Sequence, residues 1–186
     1  MKKIILASKS PRRSQLLREA GFDFEVRIQD TDESYPDDLA VRDVPAFIAQ
    51  KKAEALRHTL KADEVLIAAD TVVIHAGEIY GKPANFEEAF ETIRTLAGDM
   101  HEVVTGVFIC SLDQQVTLSE LSRVYFEEMT DQEIQYYINH WKPYDKAGAY
   151  GIQEWIGLCK IHHIEGTYAN VMGLPVNRVY DALLSF

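Results

Sequence analysis

The stretch Ile4-Ile5-Leu6-Ala7-Ser8-Lys9-Ser10-Pro11-Arg12-Arg13-Ser14-Gln15-Leu16-Leu17 joins a short apolar run to a helix-start signal. Ile4 to Ala7 suits a buried strand. Ser10 before Pro11 predicts a helix with Ser10 as N-cap and Pro11 at its first position. Arg12 and Arg13 then fall in the first turn, where a cation opposes the helix dipole by roughly 0.3–1 kcal/mol at an exposed site. Two cations there are locally unfavourable unless an anion shares the site, so the stretch reads as a phosphate site. The plainer alternative is an ordinary capped helix with solvated arginines.

Working outward, helix and strand signals alternate along the chain without repeats or low-complexity linkers. Helices are expected at 11–20, 44–57, 85–96, 131–140 and 175–184. Strands are expected at 3–7, 24–28, 64–73, 101–112, 115–126 and 159–165, with a further short one at 168–171. A hairpin around Asp113-Gln114 joins two of the long strands, so the sheet is mixed rather than purely parallel. The helix at 44–57 places Phe47, Ile48 and Ala55 at core spacing. Spacing leaves open whether Lys51 or Lys52 faces a site.

Composition narrows the classes of function. The chain has 186 residues, 47% of them hydrophobic, enough for one sizeable core or two small lobes that share one. A formal charge of −10 disfavours a surface that coats a nucleic-acid polymer, so any phosphate site needs local positive charge or a metal. Apolar runs such as Val65-Leu66-Ile67-Ala68-Ala69 are too short to cross a membrane, and the N-terminus lacks a signal h-region. Cys110 and Cys159 lie among apolar residues and are expected to be buried reduced thiols of a cytoplasmic protein, with no zinc-type spacing.

Several segments carry candidate chemistry. Asp70 stands in an otherwise apolar strand, and a buried carboxylate needs a metal, a base role or a cationic partner. Asp30 to Asp38 reads as a solvated acidic loop. Gly81-Lys82-Pro83 is a turn that presents a lysine. Tyr144 to Gln153 combines charges and glycines, and the Gln153 amide can donate and accept as reading a base edge requires. His162 and His163 alternate faces if on a strand. His101 is expected to bond to the nearby loop, and His58, His75 and His140 to lie at the surface.

Together these segments resemble the Maf family of nucleotide pyrophosphatases. Ser8-Lys9-Ser10-Pro11-Arg12-Arg13 resembles the family's opening motif, Glu33 with Pro36 its acidic loop, and Ala49-Gln50-Lys51-Lys52-Ala53 its Ala-x-x-Lys-Ala helix, which singles out Lys52. Ala69-Asp70-Thr71-Val72-Val73, Gly81-Lys82-Pro83 and Leu96-Ala97-Gly98 through His101 to Thr105-Gly106 follow in the same order. Asp145 to Gln153 and Asn170-Val171-Met172-Gly173-Leu174-Pro175 complete a likeness that runs nearly end to end. One departure stands out: Glu154-Trp155 follows Gln153 where the family often has glycine.

The resemblance implies a single domain over 1–186. Its fold would be elongated α/β, a mixed twisted sheet flanked by helices, similar to inosine triphosphatases and with two lobes around a central cleft. It implies hydrolysis of dTTP and UTP to monophosphate and pyrophosphate, with Asp70 as proton acceptor. Ser8, Ser10, Arg12, Arg13, Lys52 and Lys82 would bind the triphosphate, and Arg12, Thr71 and Gln153 would set specificity. Because an aspartate near its ordinary pKa of ~4 is a weak base, Mg2+ or Mn2+ at Glu33 and Asp70 is expected to share the work. A cytoplasmic homodimer is implied on the same ground. A non-catalytic nucleotide-binding regulator of cell division would need the same basic clamp but not Asp70.

Overall fold

The computed structural model describes residues 2–186, and its strands hydrogen-bond in the order β2-β1-β3-β5-β6-β7, with β4 against β3. The strands are β1 (Lys3–Ala7), β2 (Phe24–Val26), β3 (Glu64–His75), β4 (Glu78–Tyr80), β5 (Met100–Cys110), β6 (Gln115–Phe126) and β7 (Ile161–Glu165). The helices are α1 (Pro11–Glu19), α2 (Val44–Arg57), α3 (Phe86–Leu96), α4 (Asp131–Trp141), α5 (Trp155–Cys159), α6 (Tyr168–Met172) and α7 (Val176–Leu183), with a 3-10 turn at Ala147–Ala149. The sheet is mixed, as expected. β1 lies parallel to β2 and β3, whereas β4 on β3 and β7 on β6 are antiparallel.

The chain forms two compact units that alternate along the sequence. The first comprises residues 2–71, Thr105–Glu120 and Gly173–Phe186; the second comprises Val72–Val104 and Leu121–Met172.

In the first unit, Ile5 and Ala7 of β1, Leu66 and Ala68 of β3, and Phe108 and Cys110 of β5 form one face, following the two-residue strand period. Ala49, Ala53 and Leu56 of α2 share that cluster. The alternate strand residues Ile4, Leu6, Val65 and Ile67 are buried too, which is why these strands read as continuous apolar runs. The core stripe of α2 differs from the expected one. Ile48 is buried as expected, but Phe47 and Ala55 are only half-buried, and the buried positions are Val44, Pro45, Ile48, Ala49, Ala53 and Leu56. Phe47 instead lies under the Lys51 ammonium, 5.8 Å from its ring centre. Close packing of α2 depends on Gly106 of β5, where an added Cβ would lie 2.1 Å from the Ala46 nitrogen.

The second unit buries Ala89, Ile93 and Leu96 of α3 with Ile134, Tyr137 and Ile138 of α4, together with Val103, Val124 and Phe126 from the strands. Its two long helices, α3 and α4, start at capped positions. Asn85 accepts from the Glu88 N–H at 2.9 Å, and Thr130 forms a reciprocal capping box with Glu133.

Three expectations are corrected. Residues 168–171 lie in a helix, α6, because the Thr167 hydroxyl accepts from the Asn170 N–H and sets a helical turn where alternation suggested a strand. Residues 155–159 are helical, so β7 starts at Ile161 rather than 159. Cys159 lies on that short helix and is exposed, whereas Cys110 is buried in the sheet, where desolvation raises its thiol pKa.

Candidate active site

The helix start that opened the sequence reading is built differently from a serine-capped one. Ser10 holds the N-cap position with extended backbone, but its side chain makes no cap bond. The Ser8 hydroxyl instead accepts from the Ser10 N–H at 3.2 Å, so Ser8 organises the turn out of β1. Arg12 is half-buried in the first turn.

Arg13 turns inward. Its Nε donates to the Gly173 carbonyl and Nη1 to the Ala69 carbonyl, both at 2.8 Å. Nη1 also donates to Ser8 Oγ at 3.2 Å, and Nη2 to Thr71 Oγ1 at 3.0 Å. The guanidinium therefore ties the turn after β1 and the middle of β3 to the segment before α7. Desolvation lowers its pKa, opposed by the nearby Asp70 charge. Thr71 Oγ1 also lies 3.0 Å from Thr105 Oγ1.

Beside this knot, α2 and β3 meet through one ammonium. Lys52 Nζ lies 2.7 Å from Asp70 Oδ1 and 2.9 Å from Glu33 Oε1. Asp70 is 15% exposed, Lys52 19% and Glu33 51%, so the pair Asp70–Lys52 is largely withdrawn from water and Glu33 closes it from the loop side. The cationic partner that Asp70 requires is thus Lys52. Lys51, one residue earlier, turns to the acidic loop, donating to the Ser34 carbonyl at 2.8 Å and to Asp32 at 3.2 Å. Asp32 is held down to about 2, chiefly by hydrogen bonds from the Ser34 hydroxyl and backbone.

The first unit therefore gathers Ser8, Ser10, Arg12, Arg13, Glu33, Lys52, Asp70 and Thr71, while Lys82 and Gln153 belong to the second. Lys82 is exposed in the turn after β4, and the Gly81 carbonyl accepts from Gly148 N–H at 3.1 Å. Gln153 Oε1 is buried and accepts no hydrogen bond.

The histidines depart from expectation. His101 is 1% exposed and bonds to the Tyr150 hydroxyl at 2.7 Å rather than to the loop, and burial lowers its pKa to about 3. His75 is largely buried rather than superficial, with Nε2 3.0 Å from Asp99. Spacing gave no sign of either contact, because both partners are distant in sequence. The acceptors of Arg13 were equally hidden, since two of them are backbone carbonyls.

Two carboxylates that share one ammonium fit a particular kind of metal site. Among the described residues no group of three His, Cys, Asp or Glu side chains could hold an ion. The Glu33–Asp70 oxygen pair matches the habit of Mg2+, which binds through one or two carboxylates and completes its shell with water and substrate phosphate.

Fold and site together describe a mixed α/β protein that gathers a lysine-bridged carboxylate pair and an inward arginine in one unit. The chain belongs to the family described as Maf-like protein, which matches residues 3–186. It is 50% identical over 185 residues to a dTTP/UTP pyrophosphatase of Parabacteroides distasonis, covering 99% of this chain and 96% of that protein. It is 47% identical to a dTTP/UTP pyrophosphatase of Porphyromonas gingivalis (99% and 94% covered) and 45% identical to one of Flavobacterium johnsoniae (97% and 93%). Among solved structures, the Staphylococcus aureus Ham1 protein overlaps 67% of this chain and 72% of its own, with a TM-score of 0.48 and 16% identity.

Proposed function

We propose that this chain is a nucleoside triphosphate pyrophosphatase that hydrolyses dTTP and UTP to the monophosphate and pyrophosphate. The observation that carries the reading is Asp70, a carboxylate set in an apolar strand and held by Lys52 at 2.7 Å. The printed names of the relatives support the substrate class.

In this reading a water molecule attacks the α-phosphorus. The new P–O bond forms as the bond to the departing pyrophosphate breaks, and Asp70 takes the proton of the water. Lys52 fixes the orientation of that carboxylate and supplies positive charge where negative charge gathers on the phosphoryl oxygens. Glu33 holds the same ammonium at 2.9 Å, so removing Lys52 would leave two carboxylates without their shared cation. Arg12, Lys82 and the donors around Ser8 and Ser10 bind the phosphate chain. Arg13, most of whose donors are spent on the protein, acts mainly by shaping this surface. Thr71 and Gln153 read the pyrimidine edge. Glu33 and Asp70 would hold Mg2+ or Mn2+, which when bound lowers the pKa of water and offsets phosphate charge.

A homodimer working in the cytoplasm belongs to the same reading, and sedimentation of the purified chain tests the first part. The described residues contain no helix long and apolar enough to cross a membrane. The decisive experiment is pyrophosphate release from a panel of triphosphates with Mg2+ or Mn2+, run beside Asp70→Asn. Release from dTTP and UTP that is lost in the variant is expected. Binding without release from any triphosphate would overturn the enzyme reading in favour of a regulator.

A further inference from the structure

The residues that flank Gln153 form a closed clip. Gly151 to Glu154 is a turn, with the Glu154 N–H donating to the Gly151 carbonyl at 3.1 Å and Gln153 at its corner. Both ends of that turn are held by one group, the hydroxyl of Tyr137 on α4. The hydroxyl accepts from the Gly151 N–H at 3.0 Å and donates to Glu154 Oε2. The other carboxylate oxygen of Glu154 lies 3.1 Å from Lys146 Nζ, whose second partner is Asp145 at 2.7 Å.

This network is sheltered. Tyr137 is fully buried, Lys146 is 9% exposed and Glu154 14%. The Tyr137 ring stacks on Trp141 at 5.6 Å and lies 6.5 Å from Trp155, so the hydroxyl has little freedom to move. The glycine at 151 is part of the arrangement, because a Cβ there would lie 2.9 Å from Glu154 Cδ and 3.0 Å from Lys146 Cε. Inside the clip, Gln153 presents a buried amide oxygen with no donor in the protein. Such an acceptor is costly unless a ligand supplies the N–H.

We infer that Tyr137 and Glu154 are positioning residues for base selection, and that their clip fixes the Gln153 amide oxygen to accept the ring N–H of a thymine or uracil. The inference rests on the proposed reading of Gln153. A pyrimidine with a ring N–H satisfies the orphan acceptor, whereas cytosine presents an unprotonated ring nitrogen at that edge and leaves it unpaired. Glu154, where the family often has glycine, thus becomes a support for the residue before it. Lys146 keeps the Glu154 charge tolerable in this setting.

The test is steady-state kinetics of the full chain with dTTP, UTP, dCTP and CTP for the parent, Tyr137→Phe and Glu154→Gln. In both variants the kcat/KM preference for dTTP over dCTP should fall about 3- to 10-fold, the worth of one hydrogen bond. The change should lie mainly in KM, since the base contact is made in ground and transition states alike. Combining Tyr137→Phe with Gln153→Ala should cost no more preference than Gln153→Ala alone, because the tyrosine acts through that amide. Unchanged preference in both single variants, or an equal loss on all four nucleotides, would overturn the clip while leaving the enzyme reading intact. A parent enzyme that turns over triphosphates without favouring thymine or uracil would overturn the reading of Gln153 itself, and the clip with it.

Discussion

Replacing Arg13 with alanine should cost folding stability as well as chemistry. The guanidinium donates to the Gly173 and Ala69 carbonyls at 2.8 Å each and makes longer bonds to Ser8 and Thr71. Hydrogen bonds to a charged group are worth about 1.5–3 kcal/mol, so the two carbonyl bonds alone represent roughly 3–6 kcal/mol before offsets. Relief of the arginine's own desolvation, the cause of its lowered pKa, returns part of this, and water can reach the vacated carbonyls. A net loss of about 2–4 kcal/mol is expected, which for a chain of this size lowers Tm by roughly 5–15 °C. Thermal and urea unfolding of Arg13→Ala and Arg13→Lys measure it, and lysine should recover only a fraction because one ammonium cannot serve the spread acceptors of a planar fork. A phosphate ligand with no structural role would behave oppositely, since removing a cation from a helix start raises stability slightly. A Tm for Arg13→Ala within about 2 °C of the parent, or above it, would refute the strut.

Two further perturbations follow from the same geometry. Lys52→Met leaves Asp70 and Glu33 side by side without their shared cation, and kcat/KM for dTTP should fall about 10- to 100-fold, the worth of one charged hydrogen bond; a change within threefold would remove Lys52 from the site. His101 is held neutral, its pKa lowered to about 3, so the unfolded chain takes up a proton below pH ~6.5 that the folded chain refuses. Its contribution to stability therefore falls as pH drops from ~6.5 toward 3, by about 2 kcal/mol between pH 7 and pH 5. Urea midpoints at those pH values should differ less in His101→Gln than in the parent, and equal differences would show that this histidine is not the group responsible.

Local signals carried much of the fold. β1, α2 and β6 have the expected bounds because each is a periodic apolar run with clear punctuation, and α3 starts one residue after an asparagine that does cap it. The misses were short elements. Residues 168–171 alternate polar and apolar side chains over so few positions that strand and helix look alike, and the three-residue β4 has no period at all. Within the site, the isolated carboxylate of Asp70 announced a partner, yet composition could not choose between adjacent lysines on α2. That choice came from the family resemblance, and the geometry agrees with it, since Lys52 reaches Asp70 while Lys51 reaches the acidic loop. The inward turn of Arg13 was illegible because its two shortest bonds go to main-chain carbonyls, which any residue could supply.

Gly106 makes α2 a keyed part. The peptide of Ala46 rests on bare strand backbone there, and Lys52 rides the same helix six residues on, about 9 Å along the axis. A methyl group at position 106 would begin 2.1 Å from the Ala46 nitrogen, well inside the roughly 3.5–4 Å of ordinary contact. The helix start would have to lift, and a stiff rod passes that tilt along to Lys52, whose ammonium meets Asp70. The tolerance of the site is therefore set a turn and a half away, at a position where a single methyl group would meet helix backbone.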